Sequence, residues 1–167
     1  ARVHCMIGIG SYLYIVGSSF AASGEGCNLV RVNPSTLAHV NSCGYTNSNV
    51  QPAIVETIDA DATHLYMPDP DNNGIVQFLI SSFTDAGPAN TNDDIAVGTN
   101  EPRSVVRTAA NTAFGVCGSA TLVKTVFPSP GTFTTFNLAT VQSGVRPFRI
   151  RYNALDGKLY IPCQGQD

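Results

Sequence analysis

Charge is scarce in this chain. Asp, Glu, Lys and Arg fill only 13% of its 167 positions and leave a net charge of −3. A general nucleic-acid binder carries a strong basic excess, so the composition argues against that class. Low charge beside a 43% aliphatic and aromatic fraction also excludes an intrinsically disordered chain. Long apolar runs are missing: no stretch approaches the ~18–20 consecutive apolar residues of a membrane-spanning helix, and no membrane insertion by a helix is expected. Cysteine occurs five times without a CxxC pair, too few for a disulfide scaffold and too scattered for a zinc site. A glycosylation sequon is absent, because Pro34 blocks "NPS" at Asn33. There is no G-x-S-x-G elbow, Gly-rich phosphate loop or HExxH helix. The start, "ARVHCMIGIGSYLYIVG", lacks an initiator Met and a signal-peptide cleavage site, and reads as mature sequence or an internal start.

Helical patterning is missing as well. Pro and Gly interrupt every candidate window, and no apolar stripe recurs at the helical spacing. What is present is a set of short extended segments divided by turn residues. The first stretch gives "RVHCMIG", "YLYIVGS", "NLVRVN" and "LAHVNS"; the second "AIVETI", "HLYMP", "GIVQFLI" and "DDIAVG"; the third "SVVRTA", "AFGVC", "TLVKTVF" and "FTTFNL". Phe148, Ile150 and Tyr152 alternate with Arg149 and Arg151, as in a half-buried strand. The polar residues are mainly Ser, Thr, Asn and Gly, a composition common on secreted, cell-surface and virion proteins.

These segments repeat. Leu13, Leu65, Ala113 and Leu159 hold equivalent positions at spacings of 52, 48 and 46 residues. Pro52, Pro102 and Pro147 precede the last three by 13, 11 and 12 residues. Two landmarks moving together define units of approximately 1–51, 52–101, 102–146 and an incomplete 147–167. Four strands in about 45–50 residues is the period of a β-propeller blade. The expected fold is therefore all-β: about three and a half four-stranded antiparallel blades, part of a larger ring. An incomplete blade leaves strand edges uncovered. The expected partners are accordingly the remaining blades of a longer chain, or neighbouring subunits.

The elements "GVRPFRI", "DGKLYIP" and "LVRVNPSTL" resemble the YVTN/NHL-like propeller repeats, over the whole chain. In those repeats a Gly-rich turn and Pro precede an inner strand, then a DG-x-LY hairpin. The third unit departs most, with "AANTAFG" in place of the acidic turn and Tyr.

Candidate sites follow from the repeat. Six of nine basic residues, Arg2, Arg103, Arg107, Arg146, Arg149 and Arg151, lie in or just before the first strand of a unit, which lines a propeller's channel. Guanidinium groups gathered there bind carboxylate or phosphate. The candidate anion site is Arg2, Arg107, Arg149 and Arg151, against the alternative of pairing with Glu56 and Glu101. "DPDNNG" matches half of a calcium loop, with Asp69, Asp71 and Asn73 as oxygen donors; Ile80 replaces the bidentate Glu, so an ordinary hairpin turn is the competing reading. Calcium is the one cofactor considered. His4, His39 and His64 fall in different strands or units and read as structural or exposed, and Tyr14, Tyr66 and Tyr160 read as blade-packing residues, with sugar stacking the competing role. Cys27 and Cys43 lie equally far from Ser35 in the third hairpin turn, so a simple register places them face to face as a disulfide, which suits an oxidising setting; the alternative is two unpaired thiols held apart by a register slip or a longer turn.

Two functions fit. One is a non-enzymatic propeller module displaying loops for protein or glycan contact on an extracellular, cell-surface or virion protein. The other is a segment of a propeller hydrolase or lyase with its site at the central channel. The matching strand positions Gly17, Asp69, Cys117 and Cys163 share no chemistry, which favours the first.

Overall fold

The computed structural model describes residues 2–18, 27–44, 55–70, 73–82, 93–98, 101–109, 111–127, 132–141 and 143–164. Among these, strands β1 (Arg2–Ile9), β2 (Tyr12–Ser18), β3 (Cys27–Val32) and β4 (His39–Gly44) form one antiparallel meander. A second holds β5 (Asp59–Ala60), β6 (His64–Asp69), β7 (Gly74–Leu79) and β8 (Asp93–Ala96). A third holds β9 (Pro102–Ala109), β10 (Thr112–Cys117), β11 (Thr121–Val126) and β12 (Thr132–Asn137). The last segment is two strands in four pieces: β13 (Arg146–Pro147) pairs with β16 (Cys163–Gln164), and β14 (Arg151–Asn153) with β15 (Lys158–Tyr160). Helix among the described residues is confined to 3-10 turns at Ile80–Ser82 and Leu138–Thr140. The first hairpin turns tightly at Gly10, whose φ of +57° suits glycine.

The cores lie between successive sheets. Tyr14, Val16 and Leu29 of the first sheet pack with Leu65, Met67, Val76 and Phe78 of the second and with Val55 and Ile58 of the segment before β5. On the second sheet's other face, Tyr66, Ile75 and Ile95 pack with Val105, Ala113 and Phe127 of the third. Val106 and Val116 meet Ile150 of the last unit. Sandwiching explains why β6 and β7 are buried almost without alternation, whereas β12 is exposed throughout. Burying each large aliphatic side chain contributes ~1.5–3 kcal/mol, and no single sheet can bury both its faces alone.

The innermost strands depart from the sequence reading. "AIVETI" was expected to form the second unit's first strand, but β5 contains only Asp59–Ala60. The residues before it turn to the third sheet: Glu56 N donates to Arg103 O at 2.6 Å, and Thr57 forms a parallel bridge with Ser104. A similar gap splits β13 from β14, where Ile150 N donates to Ser104 Oγ at 3.1 Å. Edge-to-edge contact between inner strands has replaced ladder bonds within the sheet.

The β3–β4 register also differs from expectation. Cys43 pairs with Leu29, two residues from Cys27, because the turn Asn33–Ala38 is longer and the register shifts between Arg31 and Val32. Cys27 and Cys43 are therefore diagonal rather than face to face; their side chains lie outside the described residues.

Candidate functional site

Two polar constellations occupy the innermost strands. The first fills the gap between the second and third sheets. Asp61 follows β5 and folds its carboxylate back over the hairpin: Oδ1 accepts from Thr63 N at 2.8 Å, His64 N at 2.7 Å and Thr63 Oγ1 at 2.9 Å. Its Oδ2 accepts from Tyr66 OH at 3.1 Å. Gln77 Nε2 donates to the Tyr66 oxygen at 2.9 Å and to Asn111 Oδ1 of the next sheet at 3.3 Å. Arg107 Nε stands 4.0 Å from Asp61 Oδ2, and Arg107 N donates to Asp59 Oδ2 at 2.7 Å. Asp59 and Asp61 thus join two sheets. Their repeat counterpart is Asp156, which accepts from Lys158 N at 3.0 Å and Tyr160 OH at 2.7 Å. The acidic turn and Tyr of the sequence pattern are hydrogen-bond partners in both units.

Burial raises the Asp61 pKa, but the Thr63 and His64 N–H groups and the two hydroxyls outweigh it and hold the carboxyl at about 2. A carboxyl depressed from 3.8 stabilises the fold above pH 4 and ceases to do so as pH falls through 2. Urea unfolding at pH 5 and pH 2 is expected to show that Asp61 accounts for ~1–2 kcal/mol of the acid loss, after discounting for partial solvent screening. In Asp61→Asn this part of the pH dependence is absent; an unchanged slope contradicts the assignment.

The second constellation is a cavity of about 850 Å³ lined by Glu56, Arg103, Gly118, Arg146, Pro147, Phe148, Cys163 and Gln164. Arg103 lies across Gly118 so closely that a Cβ there would stand 3.2 Å from Cζ. Its terminal nitrogen is 3.5 Å from Glu101 Oε2, while its buried Nε has no hydrogen-bond partner among the described residues. Arg149 Nε is 3.7 Å from Glu56 Oε2.

The arginines expected to share one anion site are divided between these places. Arg107 faces Asp61, Arg149 pairs with Glu56, and Arg151 is exposed. Arg2 lies in β1, with its side chain outside the described residues. Sequence reasoning did not select Arg103 and Arg146 for the site, or place Glu56 in its wall; the signal was their position just beside Pro102, Pro147 and Thr57.

Of the calcium candidates, Asp69 is buried at the end of β6, and Asn73 adopts a φ of +54° with its N–H on Pro70 O at 3.4 Å. Asp71 lies outside the described residues. No group of three His, Cys, Asp or Glu side chains among the described residues is placed to hold a metal. His4 Nδ1 accepts from Val55 N at 3.3 Å, tying β1 to the segment that precedes β5, and His64 Nδ1 lies 2.8 Å from Thr63 Oγ1. Tyr14 and Tyr66 are buried, whereas Tyr160 is 51% exposed, so the expected packing role does not extend to the last unit. Burial, and secondarily the charge of Glu101, pushes the Cys117 thiol up to about 12, which keeps it protonated.

No family model matches the chain, and no curated protein matches its sequence. Solved structures do. The Myceliophteria thermophila Cps50 (Swd1) beta-propeller domain is similar at TM-score 0.69 and 7% identity, over 98% of this chain and 49% of that one. The chain has the fold of part of a β-propeller. The extracellular domain of a one-component system from B. thetaiotaomicron is similar at TM-score 0.64 and 17% identity, over 99% of this chain and 20% of that one. A functionally unknown protein from Desulfotomaculum acetoxidans gives TM-score 0.60 and 14% identity, over 97% of this chain and 49% of that one. This propeller segment spans at most about half the length of these neighbours.

Proposed function

We propose that the chain is a non-enzymatic structural and interaction module, a run of YVTN/NHL-like propeller blades in an extracellular, cell-surface or virion protein. The observation that carries this reading is exposed apolar surface in two places, the outer face of the first sheet and the part of the third sheet that the short last unit leaves uncovered. On the first sheet, Val3 and Met6 are 56% and 58% exposed, on the face that Leu13, Ile15, Val30 and Val32 share. On the third sheet, Val126 and Phe136 are 39% and 49% exposed, on the face whose inner part, Phe114 and Leu122, packs on the last unit. Their partners on this reading are further blades, from a longer chain or from neighbouring subunits, with exposed loops left for protein or glycan contact. The hydrolase or lyase alternative gains no comparable support: no histidine lines the cavity, and Cys117 is buried as a neutral thiol.

The 167-residue segment is expected to self-associate in sedimentation at micromolar concentration. A single well-behaved monomer overturns the reading. A Cys27–Cys43 bond remains part of the proposal for an oxidising location, despite the diagonal register. Alkylation of both thiols without reduction removes it.

A further inference from the structure

The cavity beside Arg103 has a lining that the module reading does not use. Its volume of about 850 Å³ is in the range of small-molecule sites. Three guanidinium groups, Arg103, Arg146 and Arg149, lie in or beside it against the carboxylates of Glu56 and Glu101. The surplus is a single positive charge, suited to a monoanion rather than a phosphate dianion. The donors are also underused. The Arg103 side chain is 40% exposed and meets Glu101 only at 3.5 Å, and among the described residues Arg146 makes no ion pair. The exposed guanidinium N–H groups are open to an arriving carboxylate, which accepts from them in charge-assisted bonds.

The rest of the wall narrows the ligand class. The Phe148 side chain, 40% exposed on a residue that the strand alternation would bury, offers an apolar surface within the lining. Glu56 supplies acceptors, and the Gln164 amide supplies both donors and acceptors. Such groups suit hydroxyls on a compact, partly apolar ring. Gly118 keeps the Arg103 guanidinium at the wall, since any side chain there would press on it.

We propose that this cavity binds a carboxylate-bearing sugar, with Arg103 and Arg146 holding the carboxylate, Glu56 and Gln164 meeting hydroxyls, and Phe148 packing against the ring. The site is carried by its own lining and does not depend on the blade partners invoked above.

Calorimetric titration of the intact protein with glucuronate tests it, with glucose and inorganic phosphate as comparison probes. Glucuronate is expected to saturate with a Kd of ~0.1–10 mM, as for a small site with two charged contacts. Glucose and phosphate are each expected to bind at least about tenfold more weakly. Arg146→Ala should weaken glucuronate binding by about tenfold or more while leaving the melting temperature within ~2 °C, because Arg146 is exposed. Gly118→Val, which displaces the Arg103 guanidinium, should weaken it similarly. Absence of saturation at ~50 mM glucuronate, a Kd beyond the weakest expected here, overturns the proposal. So does equal binding of glucose, tighter binding of phosphate, or an Arg146→Ala affinity equal to wild type. Failure of this test leaves the sedimentation result untouched, so the two readings fail separately.

Discussion

Tyr66→Ala is expected to destabilise the protein by ~3–5 kcal/mol, the range for truncating a fully buried aromatic side chain. Tyr66 has no exposed surface and lies edge-on to Phe127 at 5.8 Å between ring centroids, across the boundary of the second and third sheets. Removing the ring opens a cavity that two sheets cannot both close. Tyr66→Phe separates packing from polarity. It keeps the ring but takes the donor from Asp61 Oδ2 and the acceptor from Gln77 Nε2. Because Gln77 is buried, a loss of ~1–3 kcal/mol is expected for the phenylalanine variant. Urea unfolding with an unchanged m value checks both numbers. A phenylalanine variant as stable as wild type would show that the hydroxyl is dispensable.

The second large effect is expected at Ser104. Its side chain is fully buried in β9 and touches both neighbouring inner segments, bonding with Thr57 Oγ1 on one side and accepting from Ile150 N on the other. Thr57 Oγ1 also donates to Val105 O at 3.1 Å. Ser104→Ala strands the Ile150 amide in a buried position and should cost ~1–3 kcal/mol. The loss should be local, with Ile150 exchanging its amide proton at least about tenfold faster than in wild type. Thr57→Val and Ser104→Ala should be non-additive by ~0.5–3 kcal/mol in a double-mutant cycle, as for residues in direct contact. Additive effects and an unchanged Ile150 rate would mean that the inner segments are held by apolar packing alone.

Much of the architecture is legible in the sequence because its determinants are local. Alternation in "TLVKTVF" puts Val123 and Thr125 inside and Lys124 and Val126 outside, which period two alone predicts. Strong turns separate the strands, so element order needs no tertiary information. The inner strands were misread because their partners are distant. Nothing in "AIVETI" says that Thr57 will bond Ser104, 47 residues later, instead of extending β5. Register failed for a related reason. Equal spacing about Ser35 assumed a short turn, but the Asn33–Ala38 turn and the shift at Val32 displace Cys43 from Cys27.

The site was half legible. Clustering of arginine at the first strands of the first, third and last units pointed to the inner surface, yet it could not separate Arg107, committed to Asp61, from Arg103, beside the cavity. Four residues along a strand span about 13 Å, enough to send two side chains of one strand to different sites. Phe148 was expected inside by alternation; the gap between β13 and β14 instead leaves it on the cavity wall.

The central claim is that these blades belong to a closed assembly in which their exposed apolar faces are covered. Hydroxyl-radical footprinting of the intact protein, read by mass spectrometry, tests this most directly. Met6 is 58% exposed on the first sheet's outer face and Phe136 49% exposed on the third sheet beyond the last unit, and Leu155, 98% exposed on a turn, serves as the reference. The account predicts that Met6 and Phe136 are protected at least about fivefold relative to Leu155 once intrinsic reactivity is corrected, because apolar faces of this kind are normally covered in a native assembly. Oxidation of Met6 and Phe136 in proportion to their exposure in the lone chain would contradict it.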